Sequence, residues 1–329
     1  MNTTDHPSMK PNQTDIIYAA ITGLTAILSM AGSSIIVATY IAYKDCRIFG
    51  RQLLAFLSVA DFLTALGNLL GVVWFVWADS SVIRRSMIYC KFQSALTIFS
   101  SIASFLWMVV IAFGLLLSIV LSKARVFESY GKFYHLVCWV LPGLIVTVSL
   151  SLDVLGYDSD LNQDSWCWVD PRVSHALVWQ FVTGKGWELA SYVITVVIYT
   201  VVKIYLFKNS THTLAVNPHR LRHAGVKEAN RKLTFVPLVF ILLRVWGTLR
   251  FIIGVVDHEY AKSPQASWIV PLQCVGDSAQ GIANCVIYCF FTTAIRRRLV
   301  NSCCCVKRRS GQITEVTSHS IKPSSVDVI

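Results

Sequence analysis

Residues 92–122 read FQSALTIFSSIASFLWMVVIAFGLLLSIVLS, a run of 31 without one Asp, Glu, Lys or Arg. A helix rising about 1.5 Å per residue over that length exceeds the roughly 30 Å hydrocarbon core of a bilayer. Working outward, six more segments are long and apolar enough to cross: 16–43, 53–77, 133–152, about 176–207, 233–256 and 268–295. The chain is 54% hydrophobic and 14% charged, against about 25% charged in soluble domains. Its 17 Phe, 12 Tyr and 10 Trp exclude a disordered chain. The expectation is an all-α protein, one seven-transmembrane helix bundle. The loops are short, and no internal repeat points to a two-halved transporter.

The net charge of +11 could be read as a nucleic-acid footprint, but its distribution says otherwise. With the N-terminus outside, the inner segments hold 19 Lys and Arg against 5 acids, and the outer segments 6 against 10. Basic residues in excess mark the cytoplasmic side, so the charge records topology and no nucleic-acid partner is expected. The organisation is then an extracellular N-terminus (1–15), the bundle (16–295), a short amphipathic helix with a Cys cluster (296–305) and a cytoplasmic tail (306–329). The first 15 residues lack a signal-peptide core, so the first span is expected to insert by itself. Asn2 and Asn12 head glycosylation acceptor triplets on the outer side.

Topology also sorts the ten cysteines. Cys90 and Cys167 alone face the oxidising side, so each is the other's only outer partner for a disulfide. Cys138, Cys274, Cys285 and Cys289 lie in spans as small packing residues. Cys303, Cys304 and Cys305 follow a basic run at the membrane surface, where S-palmitoylation anchors a helix to the inner leaflet. A zinc cluster there lacks a nearby fourth ligand. The tail holds several Ser and Thr open to phosphorylation, and Asp327-Val328-Ile329 could add a strand to a PDZ domain.

Ionisable groups within a bilayer are costly and mark function or a paired lock. Lys185, Glu188, Arg244 and Asp277 fall at similar depth, from mid-membrane to slightly outward, and Lys185 and Glu188 share a helix face. Asp277 can neutralise Arg244, with Glu188 as a second candidate. Two readings stand: a network under the outer pocket, with Trp168 above it, whose pairing changes with state, or a permanent salt-bridge lock. Asp61 stands alone on its span and needs donors or a cation. Asn284, Gln280, Ser100, Ser101 and Ser104 are candidate partners, and both a sodium ion and a hydrogen-bonded carboxylate are open readings. The acids Asp153, Asp158, Asp160, Asp164 and Asp170 in the outer loop hint at a cationic or polar ligand. The seventh span has no Lys for a retinal Schiff base, no His lies deep in a span, and no nucleophile has a matched base. Enzymatic chemistry and a resident cofactor or metal are not expected.

Several stretches carry a resemblance. Cys90 before the third span, Trp139 with Pro142 in the fourth, and Trp166-Cys167-Trp168 in the outer loop resemble G-protein-coupled receptors of the secretin-like and cyclic-AMP-receptor-like groups. Residues 231–238 (RKLTFVPL) resemble the start of the secretin-type sixth helix, and Gln280-Gly281 through Tyr288-Cys289-Phe290 its seventh-helix motif. Residues 183–188, 243–246 and 280–285 resemble one orphan member of the family. The likeness spans about residues 16–305. It implies a membrane receptor with an unknown extracellular ligand, a heterotrimeric G protein inside, Gq-type phosphatidylinositol-calcium signalling, and a plasma or ciliary membrane location. Only 15 residues, with no Cys, precede the first span, so the large disulfide-linked ectodomain of secretin-type receptors and hormone capture by that route are not expected. Ala112 stands where the secretin type holds a glutamate, and the acid-Arg-aromatic triplet of rhodopsin-type receptors is absent after Leu116.

In a receptor, Pro237 and Gly247 are candidate bending points of the sixth helix. Lys203, Lys208, Lys227, Arg231 and Lys232 would face the G protein, although topogenic attraction to anionic lipid explains the same charges. The competing function is a seven-helix transporter or channel with the mid-membrane charges along its path. A third reading, a membrane adhesion or scaffold protein, has no outer domain with which to adhere.

Overall fold

The computed structural model describes residues 13–43, 47, 49–77, 87–157, 167–210 and 235–290. Asn2, Asn12, Trp166, Lys227, Arg231, Lys232, the helix expected after the seventh span, Cys303, Cys304, Cys305 and the tail lie outside these residues. The first three spans are the helices Gln13–Ala42, Phe49–Trp77 and Met87–Ile119. A short helix, Ala124–Ser129, crosses the inner face before the fourth span, Gly131–Ser151. The fifth runs from Ala176 to Ser210, so Lys208 belongs to the helix rather than to the following loop. The sixth is Phe235–Val256.

The seventh span is interrupted. It consists of Ile269–Ser278, Gln280–Cys285 and a π-helical turn Val286–Phe290, with Ala279 outside the helical pattern. The fourth and fifth also contain wide turns, at Leu136–Val140 and Phe181–Lys185. In the fourth the cause is Pro142, which cannot donate to the carbonyl four residues back. In the fifth Gly186 lets the backbone approach, because a Cβ there would lie 2.7 Å from the Phe181 carbonyl oxygen.

The third span is the hub, packed against the second, fourth and fifth, while the first closes on the second and seventh and the sixth packs on the seventh. Burial follows this order: 61% and 56% of the most apolar windows of the second and third spans are buried, but only 17–22% of those of the fourth to sixth. Apolar residues on the outer spans, such as Leu144, Val193 and Leu242, are exposed on the bundle exterior, as lipid contact requires. Trp107 is fully buried on the third span, stacked on Phe56 at 5.2 Å and edge-on to Trp139 at 6.1 Å.

The outer loop before the fifth span carries a short hairpin on the helical bundle. Leu155–Tyr157 (β1) pairs antiparallel with Cys167–Val169 (β2), with Leu155 opposite Val169 and Tyr157 opposite Cys167. Three-residue strands are too short to show alternation in sequence. They form because Val154, Leu155, Cys167 and Val169 bury onto Ile98 and Ile102 of the third span and its surroundings. The Cys90–Cys167 disulfide fixes that contact covalently, with Cα atoms 5.4 Å apart across a separation of 77 residues. A loop that long, once closed, stabilises the fold by about 2–4 kcal/mol.

Candidate functional site

Glu188 organises the polar centre beneath the outer mouth. It is 3% exposed, one turn beyond the wide turn that carries Lys185. Lys185 Nζ donates to Glu188 Oε2 at 2.8 Å, and on Oε1 converge Tyr192 Oη at 2.6 Å and Thr248 Oγ1 at 2.8 Å. Thr248 belongs to the sixth span, so this carboxylate ties the fifth and sixth together. Lys185 Nζ also sits 5.9 Å from the Phe251 ring centre.

Arg244, one turn inward on the sixth span, is held more loosely. Its Nη1 lies 3.7 Å from Asp277 Oδ1, its guanidinium lies 5.3 Å from the Phe105 ring centre, and its Nε has no hydrogen-bond partner. Gly247 packs directly on the Asp277 carboxylate; a Cβ there would stand 3.1 and 3.2 Å from its two oxygens. This glycine, expected as a bending point, therefore has a steric role against the seventh span. Pro237 lies in the first described turn of the sixth helix.

Above these charges a cavity of about 160 Å³ opens between the first, second, fifth, sixth and seventh spans. Lys185, Asp277 and Trp168 line it, as do Asp15, Arg250 and Phe251, whereas Glu188 and Arg244 are not among its lining residues. Trp168 is positioned by the hairpin and donates from Nε1 to Thr183 Oγ1 at 3.1 Å. Cys274, expected as a packing residue, also faces the cavity.

Asp61 occupies a separate position nearer the inner side. Ser104 Oγ donates to Oδ1 at 2.7 Å and Asn284 Nδ2 to Oδ2 at 2.9 Å, while Gln280 reaches it through Asn284 at 3.3 Å. Each carboxylate oxygen is thus engaged by a donor. Ser100 bonds instead to Thr64 at 3.0 Å. The interruption of the seventh span adjoins this cluster: Asn68 donates to the Asp277 carbonyl at 3.1 Å and to Ser278 Oγ at 2.9 Å. Nearer the inner end, where the polar residues of the known receptor types are missing, Ala112 packs on Ile198 and Val202 in an apolar contact.

The outer acids are less free to steer a ligand than their number implies. Asp153 pairs with Lys91, and Asp170 with Arg172 at 2.7 Å. The side-chain hydrogen bond from Arg172 holds the Asp170 carboxyl below the ordinary carboxylate range. That anchor contributes fully above the normal Asp pKa and is lost as pH falls through the depressed value. Asp158, Asp160 and Asp164 lie outside the described residues. Towards the inner end, Lys203 and Lys208 are exposed, Lys203 with its ammonium 5.4 Å from the Tyr199 ring centre.

Charge spacing in sequence pointed to Lys185, Glu188, Arg244 and Asp277, but gave no sign of Tyr192, Thr248 or Asn68. Neutral hydroxyls and amides are common in spans, and nothing in sequence tells one facing a carboxylate from one bonded to its own helix. Asp15, at the outer end of the first span, looked like a loop acid.

Comparison with known proteins agrees with this architecture. Residues 16–282 match the family described as 7 transmembrane receptor (Secretin family). The chain is 33% identical over 302 residues to mouse G-protein coupled receptor 157, covering 89% of this chain and 88% of the relative. It is 34% identical to the human protein of that name, covering 90% and 87%. Cyclic AMP receptor-like protein A of Dictyostelium discoideum is 23% identical over 84% of this chain and 67% of its own. The crystal structure of squid rhodopsin shares the fold with a TM-score of 0.65 at 15% identity, covering 92% of this chain and 90% of that one. With a match over most of its length, relatives above 30% identity and a seven-helix bundle, the chain belongs to the seven-transmembrane receptors of the secretin family, G-protein-coupled receptors rather than enzymes.

Proposed function

We propose that this receptor is switched by a ligand entering the outer cavity, which redistributes Arg244 between Asp277 and Glu188 and so frees the sixth helix to swing outward. The observation that carries this reading is the loose hold on Arg244: a buried cation 3.7 Å from one carboxylate, with an unpaired Nε. A buried charge held at that distance has less to lose on leaving than one in a short hydrogen-bonded pair such as Lys185–Glu188. A ligand shifts the equilibrium only by its difference in affinity for the two states, and contacts to Asp277 would supply such a difference. Inside, Lys203 and Lys208, with Lys227, Arg231 and Lys232, meet the G protein, which we take to be of the Gq type from the family resemblance.

Charge exchange tests the pairing. Arg244→Asp and Asp277→Arg should each reduce surface receptor and inositol-phosphate output about tenfold, since breaking a buried pair leaves an uncompensated charge. The double exchange should recover most of both. Recovery of surface expression without signal would mark a permanent lock, and no recovery at all would sink direct pairing. Output that persists in cells lacking Gq would reject that coupling, and ion flux carried by the chain alone would favour the transporter reading.

The same reading places N-glycans on Asn2 and Asn12, thioester-linked acyl chains on Cys303, Cys304 and Cys305, and a PDZ partner at Ile329, in a plasma or ciliary membrane. Glycosidase treatment should shift the wild type but not Asn2→Gln/Asn12→Gln. Hydroxylamine should release label from the wild type but not from the triple Ser variant. A shift or label that survives those substitutions would reject the assignments.

A further inference from the structure

We infer that Asn68 is a positioning residue of the switch: its amide keeps the seventh span interrupted at Ala279, and that interruption keeps the Asp277 side chain beside Arg244. The inference rests on the reading that the Arg244–Asp277 pair restrains the sixth helix, and goes beyond it to what sets the position of Asp277. In an uninterrupted helix the Gly281 amide would donate to the Asp277 carbonyl, four residues back. Here the two groups are drawn to different helices. Gly281 N donates to Ser29 Oγ of the first span at 2.9 Å, and the Asp277 carbonyl accepts from Asn68 Nδ2 of the second at 3.1 Å. Only glycine permits the first of these contacts, because a Cβ at 281 would stand 2.6 Å from the Ser29 carbonyl oxygen.

The two diversions are not equivalent. Ser29, if it loses Gly281, can turn its hydroxyl to a carbonyl of its own helix, as Thr25 and Ser34 do at 2.7 and 2.8 Å. The Asp277 carbonyl has no such recourse: without Asn68 the donor it recovers is its ordinary helical partner, the Gly281 amide, and the helix closes. Closure turns the residues before Ala279 relative to those after it. The Asp277 carboxylate goes with the outer half, where Gln273 one turn back hydrogen-bonds it, and it leaves Arg244, from which it already stands 3.7 Å. Asn284, in the inner half, stays with Asp61. Asn68 is also within reach of the outer cavity, because Asn68, Asp277 and Ser278 all line it. A side-chain amide nitrogen carries two protons, and Asn68 spends them on the Asp277 carbonyl and on Ser278 Oγ at 2.9 Å. An acceptor entering from the cavity therefore gains Asn68 only by displacing one of them.

Asn68→Leu keeps the size of the side chain and removes both donors. In the full-length receptor on cells it should raise ligand-independent G-protein activation per surface receptor about fivefold, the shift that one lost hydrogen bond gives a two-state equilibrium. Ser278→Ala removes the other bond of the same amide, so it should lower the thermal midpoint to a similar degree and leave output at the wild-type level. Gly276→Ala, which parts the sixth and seventh spans at Leu243, displaces Asp277 by another route, and adding Asn68→Leu to it should raise output no further. In purified Asn68→Leu receptor, structure determination should find Gly281 N within about 3 Å of the Asp277 carbonyl oxygen; that distance decides the case if the variant reaches the cell surface too poorly for signalling to be read. Wild-type output from Asn68→Leu overturns the inference, and an active Gly276→Ala beside it leaves the switching reading intact. Equal activation by Ser278→Ala, a double variant whose effects multiply, or a seventh span still interrupted in Asn68→Leu overturns it as well. If Asn68→Leu and Gly276→Ala are both quiet, the Arg244–Asp277 restraint falls with it.

Discussion

Replacing Glu188 by Ala is expected to cost about 3–5 kcal/mol of stability, the range for breaking a buried ion pair, and to remove most receptor from the cell surface. The carboxylate is 3% exposed and its partner Lys185 13%. Without it the ammonium is left with no counter-charge at hydrogen-bond distance, and the hydroxyls of Tyr192 and Thr248 lose the acceptor they share. Those two hydroxyls keep only each other as partners, at 3.2 Å. Glu188→Gln should be milder, because the amide oxygen still accepts from those hydroxyls while the charge and the acceptor for Lys185 are lost. Adding Lys185→Met to Glu188→Ala should return a large part of the loss, since an apolar chain replaces the uncompensated charge. Surface immunostaining and the thermal midpoint of receptor in nanodiscs measure both effects. A double variant no more stable than Glu188→Ala would show that the cost lies in packing or in the hydroxyls, and the ion pair would lose its assigned weight.

The bundle was legible in the sequence because membrane spans are written in the coarsest signal a chain has, length without charge, and because basic residues fix the direction of crossing. Residues 92–122 are enough to exclude a soluble fold. What escaped was set by tertiary contact. The hairpin exists only where Val154 and Val169 find the third span and Cys167 finds Cys90. The break at Ala279 could not be read from composition: the residues around it are ordinary for a span, and its hydrogen bonds run to Asn68 on another helix. The candidate site was half visible for the same reason. Buried charges are rare enough to stand out in an apolar span, so Lys185, Glu188, Arg244, Asp277 and Asp61 were found. Which acid takes which base depends on helix rotation, and the wide turn at Phe181–Lys185 sets that rotation for Lys185.

Gly276 offers the sharpest test of whether the Arg244–Asp277 distance governs activity. It precedes Asp277 by one residue, and it faces Leu243, which precedes Arg244 by one. A Cβ on Gly276 would overlap the Leu243 carbonyl oxygen and stand 3.0 Å from its carbonyl carbon. Those are backbone atoms, so the sixth and seventh spans must separate to admit even Ala, and the pair at 3.7 Å must lengthen with them. Overpacking of this kind costs about 1–3 kcal/mol. If the pair holds the resting state, Gly276→Ala should also raise ligand-independent signalling per surface receptor about fivefold, the shift that roughly 1 kcal/mol gives a two-state equilibrium. Gly281→Ala is the control. Its Cβ would stand 2.6 Å from the Ser29 carbonyl oxygen, so it should destabilise the contact between first and seventh spans to a similar degree without touching the sixth. The expected result is two receptors of comparable thermal midpoint, of which only Gly276→Ala is constitutively active. Equal basal activity in both would tie signalling to general loosening of the bundle. A quiet Gly276→Ala with normal surface expression would mean that the Arg244–Asp277 pair is not what restrains the sixth helix.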